Sequence, residues 1–231
     1  MPNMLLKSGV FLLIVSAVFT FFSAVHAAEA SAVQLVASGE GYVEFRLSPL
    51  WESDTCAVGD ETLHHLSFQG AEWTGQTGAA ALPGRTITLA VPLQGQVTAQ
   101  VVDAPFEEQK TLPLVPVATV RPGQDEQFLR DAVWYSRDQF FPEQTVTVSE
   151  PLWFRQQRIV RVFVGPVQYN PRQGRLRRYG HVQVRISFPS SAASRPVRGA
   201  ADEELYRAAL LNYEQGRAWR SDTPSALSKT G

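Results

Sequence analysis

The chain predicts an antiparallel β-sandwich followed by a C-terminal helix. Apolar, mostly β-branched residues recur at every second position, as in Val160, Val162 and Val164 and again in Val182, Val184, Ile186 and Phe188. That period marks half-buried strands. Gly, Pro, Asn and Asp clusters break the runs into short elements, each type for its own conformational reason. Little convincing helix precedes residue 200, so the layers must be sheets packed on each other.

The elements follow in order. Strands over residues 33–36 and 42–47 form an opening hairpin, with Val43, Phe45 and Leu47 alternating against Tyr42, Glu44 and Arg46 and with Ser38-Gly39-Glu40-Gly41 as the turn. Ser48-Pro49 begins a loop through Trp51, Cys56 and Asp60, and a further strand covers residues 63–68 and stops at Gly70. After Gly75, Gly78 and Leu82-Pro83-Gly84, the residues Ile87, Leu89 and Val91 alternate up to Pro92; Gln94-Gly95 then turns the chain into a strand over 97–102, a second hairpin. Pro113, Pro116 and Pro122 punctuate a stretch that suits an edge strand or polyproline-like backbone, since proline cannot donate to a central ladder. Residues 124–139 read as a short helix or irregular loop, and Val146 and Val148 open the strand that leads to Pro151.

Residues 160–164 and 182–188 then predict one long antiparallel hairpin, turned by Tyr169-Asn170-Pro171 and Arg172-Gln173-Gly174. The sequence SSAASRPVRGAA over 190–201 reads as a linker. Asp202-Glu203-Glu204 begins a helix over 202–220, where carboxylates favour the positive end of the dipole. Tyr206, Ala209, Leu210 and Tyr213 give it one apolar stripe. Residues 221–231 form a polar tail.

Residues 1–27 have the layout of a secretory signal: Lys7, an apolar run over 10–22, then Val25-His26-Ala27 at the cut. The run falls short of the roughly 20 residues a membrane span needs, so an extracytoplasmic address, periplasm or cell surface, is expected with no membrane attachment after cleavage. The sequence is 44% hydrophobic and 19% charged, which describes a folded domain rather than a disordered one. Net charge is −1, and removal of Lys7 with the signal leaves it near neutral; such a surface argues against nucleic acid as a partner. Cys56 is the single cysteine, so the domain over 28–189 must rely on its core without an internal disulfide.

Pro151, the Arg155 and Arg158 pair, Ile159-Val160, the string from Pro166 through Val167, Gln168, Tyr169 and Asn170 to Pro171, then Gly174 and Leu176, occur together in order. This combination resembles the propeptide of gingipain-type cysteine peptidases, and the order of Gly, Leu-Pro and an apolar strand ending in Pro over 70–92 is similar to the first half of the same family. The resemblance implies a jelly-roll-like sandwich without a catalytic centre, an intramolecular chaperone and latency inhibitor whose partner is a gingipain-type cysteine peptidase domain. That partner acts in cis if the reading frame continues past Gly231 and in trans otherwise. The chain stops where such a peptidase is expected to start, which points to a truncated precursor. A free-standing extracytoplasmic sandwich that binds a protein or glycan is the alternative.

Candidate chemistry is sparse. Cys56 with His64 and His65 is the one nucleophile-and-base combination, but the order and tight spacing do not match a His-then-Cys peptidase on a parallel sheet. Adjacent histidines on a strand point to opposite faces and cannot easily share a metal. No phosphate loop follows a strand into a helix. No catalytic, metal or cofactor residue is therefore assigned. Arg172, Arg175, Arg177 and Arg178 crowd the hairpin tip; a solvated turn explains them, and so does a basic tip, or another exposed basic loop, that meets a peptidase cleft. Arg217, Arg220 and Lys229 are, by analogy with gingipain precursors, candidate processing sites.

Overall fold

The computed structural model describes residues 32–189, residue 124 excepted, and residues 202–220; the expected signal, linker and tail, with Lys229, lie outside them. Strands β1 (Val33–Gly39) and β2 (Tyr42–Leu47) form the expected opening hairpin, with Gly39 opposite Tyr42 across the turn. β3 (Trp51–Val58) and β4 (Glu61–Phe68) form a two-stranded ribbon. The loop expected through Trp51, Cys56 and Asp60 is thus a strand. Its side chains are largely exposed and polar, so it carries no apolar alternation and is held by main-chain pairing.

β5 (Glu72–Thr74) and β6 (Leu82–Ala90) pair with each other, while β7 (Thr98–Asp103) and β8 (Phe106–Lys110) join other sheets. A one-turn helix α1 (Ala132–Tyr135) is capped by Asp131, whose carboxylate accepts from the amides of Val133 at 2.8 Å and Trp134 at 3.1 Å. β9 (Val146–Val148), β10 (Leu152–Phe154), β11 (Gln157–Val164), β12 (Val167–Asn170), β13 (Arg175–Tyr179) and β14 (Val182–Ser187) complete the strands.

The architecture is an antiparallel sandwich. One sheet has the order β1-β2-β14-β7, and the other has β10-β11-β6-β5 with β9 on β11. Val43, Phe45, Leu47, Val182, Val184 and Ile186 from the first sheet and Ile87, Leu89, Val160, Val162 and Val164 from the second fill one buried core. Burial of each such side chain contributes about 1.5–3 kcal/mol.

Two expected pairings are corrected. The runs over 160–164 and 182–188 are not partners in one hairpin: β11 pairs with β6, and β14 with β2. Gly165-Pro166 interrupts the first run and Gly180-His181 the second, and the turn between them closes the short β12–β13 hairpin of a third sheet with β8. Likewise β7 does not fold back on β6. Residues 91–97 carry the chain to the opposite layer, where β7 lines the outer edge of β14 with every side chain exposed.

The expected C-terminal helix is interrupted. α2 (Glu203–Ala209) ends at Leu210, whose φ of −110° and ψ of 119° are extended; α3 (Tyr213–Gly216) and a 3₁₀ turn (Arg217–Trp219) follow. The break lets the segment bond to β6: Leu211 N–H donates to Thr88 at 3.1 Å. Gly216 packs against Ala90 so closely that a Cβ there would overlap it. Of the expected apolar stripe, Tyr206, Leu210 and Tyr213 enter the sandwich core, joined by Trp219, whereas Ala209 is exposed at the end of α2.

Candidate functional site

The arginines of the β12–β13 hairpin sit on a sheet whose third strand is acidic. Arg175 and Arg177 both pair with Glu108 of β8, at 2.7 and 2.8 Å. Arg177 also lies over the Phe140 ring, 3.6 Å from its centroid. The Arg177 hydrogen bond and the neighbouring Arg175 charge hold the Glu108 carboxyl below the usual range. Arg178 is half-buried, and Arg172 is exposed at the turn. Neither makes a side-chain hydrogen bond or ion pair among the described residues.

A second loop, carrying Arg121 with Asp125 and Glu126, projects elsewhere, between the proline-punctuated stretch and α1. The extended backbone there is pinned on both flanks: His64 N–H donates to Pro113 and Val115 N–H to His64, while Val117 N–H donates to Ala79 and Gly78 N–H to Val117. Residues 119–127 then leave and return, and the excursion is closed by a reciprocal main-chain pair between Thr119 and Gln127 at 2.8 and 3.1 Å. At its tip stand Arg121, Pro122 and Gly123, the glycine at φ +74°. Proline at the second position and glycine at φ > 0 shape a tight turn. Arg121 is exposed and forms no side-chain hydrogen bond or ion pair among the described residues. The foot is held by Arg130, which pairs with Glu61 of β4, and by Asp131 N–H donating to Gly78 at 2.9 Å. Val120, Leu129 and Val133 are each more than 60% exposed. Sequence reasoning passed over Arg121; the Arg-Pro-Gly triplet was the available signal.

Beside this loop a groove of about 620 Å³ is lined by Asp54, Cys56, His65, Trp73, Glu126 and Phe128, among others. His65 stacks on Trp73 and lies 3.3 Å from Asp54, while the His64 ring bonds the Thr111 hydroxyl at 2.6 Å. No hydrogen bond joins Cys56 to either imidazole among the described residues. Burial, then the Arg178 charge, holds His64 below its ordinary pKa.

Of the candidate processing residues, Arg217 is about half exposed and pairs with Glu214, whereas the Arg220 side chain is 1% exposed and pairs with Glu203 at 2.6 Å.

Among known proteins, the Propeptide_C25 family model matches residues 31–219. Gingipain R2 of Porphyromonas gingivalis is 28% identical over 151 residues, which is 62% of this chain and 20% of that protein. Gingipain R1 of the same organism is 28% identical over 149 residues, 62% of this chain and 15% of that protein. The chain thus spans a fifth or less of these curated relatives. Among solved structures, the complex of Porphyromonas gingivalis RgpB pro- and mature domains superposes with a TM-score of 0.70 at 22% identity, covering 80% of this chain and 98% of that one. A structure addressing the zymogenic latency of gingipain K from the same organism gives 0.60 at 21% identity, covering 71% and 95%. With the family model matched across nearly the whole described sandwich and its C-terminal helices, the chain belongs to the Propeptide_C25 family.

Proposed function

We propose that this chain is a non-catalytic prodomain that assists folding of a gingipain-type cysteine peptidase domain and holds it latent by laying an exposed, arginine-tipped loop across its substrate groove. The partner is engaged in cis where both lie on one polypeptide and in trans otherwise, in an extracytoplasmic compartment reached through the signal over residues 1–27. One observation carries the reading. The loop over 119–127 is pinned at its foot, closed by two main-chain bonds and tipped by an exposed arginine. A loop whose two ends are tied together at Thr119 and Gln127 has less conformational entropy to lose on docking, and an unpaired guanidinium suits the specificity pocket of a peptidase that cuts after basic residues. The likeness to a solved complex of pro- and mature domains supports the same reading. The four hairpin arginines are a less favoured contact, because Glu108 already engages Arg175 and Arg177.

Titration of the signal-less chain into an arginine-specific gingipain-type peptidase, read by hydrolysis of a small substrate, tests this reading. Inhibition at submicromolar to micromolar concentration with a stable complex on gel filtration is expected. No inhibition and no complex at micromolar concentration overturns it. A second reading, a glycan-binding sandwich, draws on the groove beside the half-exposed Trp73; a Trp73-dependent hit on a glycan array favours it.

A further inference from the structure

An unpaired cation and a groove that suits one lie side by side on this chain. Arg121 is exposed, forms no side-chain hydrogen bond or ion pair among the described residues, and follows Val120, which is 70% exposed. The loop that carries Arg121 also supplies Glu126 to the adjoining groove of about 620 Å³, and Phe128 lines it just past the closure at Gln127. Arg121 of the same copy is not among the lining residues.

The lining favours a guanidinium. Asp54 and His65 face each other across the β3–β4 ribbon, and Cys56, two positions from Asp54, shares their face. His65 stacks on Trp73 with centroids 5.5 Å apart, while Trp73 Nε1 donates to the Leu66 carbonyl at 3.1 Å. The indole is thereby fixed with its polar atom already used. What a ring 48% exposed still offers is π surface, which attracts arginine. Glu126 forms no hydrogen bond or ion pair among the described residues, and Asp54 meets His65 alone, at 3.3 Å. Two carboxylates with no guanidinium or ammonium partner, set around an indole, make a receptor for an arginine side chain. Its volume is that of a ligand site.

A two-fold interface needs a patch complementary to itself, so that residue i of one copy meets residue j of the other and j meets i. A cation and its receptor on one stretch of chain meet that requirement. We propose that the chain self-associates as a two-fold dimer in which Arg121 of each copy enters the groove of the other, against Trp73 and between Asp54 and Glu126. Two such insertions make a weak, reversible pair, with a dissociation constant of about 10–100 µM. The contact itself does not depend on the function proposed above. Its consequence for inhibition does rest on that reading: a dimer hides the arginine that the peptidase takes, so the monomer is the inhibitor.

Sedimentation velocity of the signal-less chain over about 1–500 µM tests the dimer. The parent is expected to pass from monomer to dimer across that range, and to associate at least about 3-fold more weakly in about 0.5 M salt. Arg121→Gln, Trp73→Ala and the double change Asp54→Asn with Glu126→Gln should each stay monomeric, with circular dichroism matching the parent. Arg172→Gln, which alters an exposed arginine of the β12–β13 turn, should dimerise as the parent does. Mixing Arg121→Gln with the double variant rebuilds one of the two contacts, so the mixture should associate more than either component alone. A parent that stays monomeric, folded variants that dimerise as the parent does, or a mixture no better than its components overturns the proposal. Trp73-dependent glycan capture by a monomeric parent gives the groove to a sugar instead. The double variant should keep inhibition of a gingipain-type peptidase while losing the dimer. A dimer that fails to inhibit sinks the earlier reading alone, and an inhibitor that never dimerises sinks this one alone.

Discussion

The side-chain amide of Asn212 pairs with both main-chain groups of Ala90: Oδ1 accepts from the Ala90 N–H at 2.8 Å, and Nδ2 donates to its carbonyl at 3.0 Å. Asn212 is 1% exposed, so a carboxamide substitutes for a strand and satisfies β6 where no neighbouring strand can. Asn212→Asp keeps the shape but removes the donor and leaves the Ala90 carbonyl unpartnered, at a cost of about 1–3 kcal/mol. Thermal melts should fall by roughly 2–4 °C per kcal/mol for a chain of this size.

Arg177 and Arg172 should behave differently although both belong to the same basic hairpin. Arg177 joins Glu108 to the Phe140 face, whereas Arg172 is exposed. Urea midpoints are expected to drop for Arg177→Ala and to stay at the parent value for Arg172→Ala. Equal midpoints would show that the Glu108 pairing adds nothing to the fold.

Acidification should destabilise the domain in two steps. The imidazole of His64 sits below its ordinary pKa through burial and then through Arg178, so the unfolded chain binds that proton more readily. Its contribution is complete above about pH 6.5 and fades as pH falls from there towards the folded value. Glu203 is pulled down chiefly by the Arg220 hydrogen bond, and Asp138 by Asn170 and Gln173. The Glu203 contribution persists above about pH 4.5 and the Asp138 contribution above about pH 3.8, and each is lost below that as the folded-state values are crossed. Melting temperature against pH should show both limbs, with His64→Gln flattening the upper one and Glu203→Gln reducing the lower one.

Charge reversal at Arg121 isolates the loop. Arg121→Glu touches no described partner, so the melting temperature should be unchanged while inhibition of an arginine-specific gingipain-type peptidase weakens by at least about 10-fold, or 1.4 kcal/mol. Retention of full inhibition would move the contact elsewhere, with the hairpin arginines next to be tested.

The layers were legible in the sequence and their partners were not. Val160, Val162 and Val164 announce a buried strand face, and Val182, Val184 and Ile186 another, but alternation says which side of a strand is apolar and nothing about its neighbour in the sheet. Nearness along the chain favoured a hairpin; the breaks at Gly165-Pro166 and Gly180 place the two runs in opposite layers instead. β3 and β8 were missed because charged, exposed strands carry no apolar period. That omission also made Arg175 and Arg177 look unpaired, since their partner Glu108 lies on the unseen strand. Arg121 was overlooked because a lone arginine in a turn has no pattern; its interest comes from the closure at Thr119 and Gln127.

The pairing of β2 with β14 sets the order of events during synthesis. Phe45 lies beside Val184, and Gln215 Nε2 donates to the carbonyls of Gly39 and Tyr42 at 2.7 and 3.1 Å. Contacts so distant along the chain give a high contact order, and such β topologies fold in milliseconds to seconds rather than microseconds. The first hairpin must wait for Gln215, 176 positions after Gly39, so this layer stays unclosed until a long stretch of chain has left the ribosome.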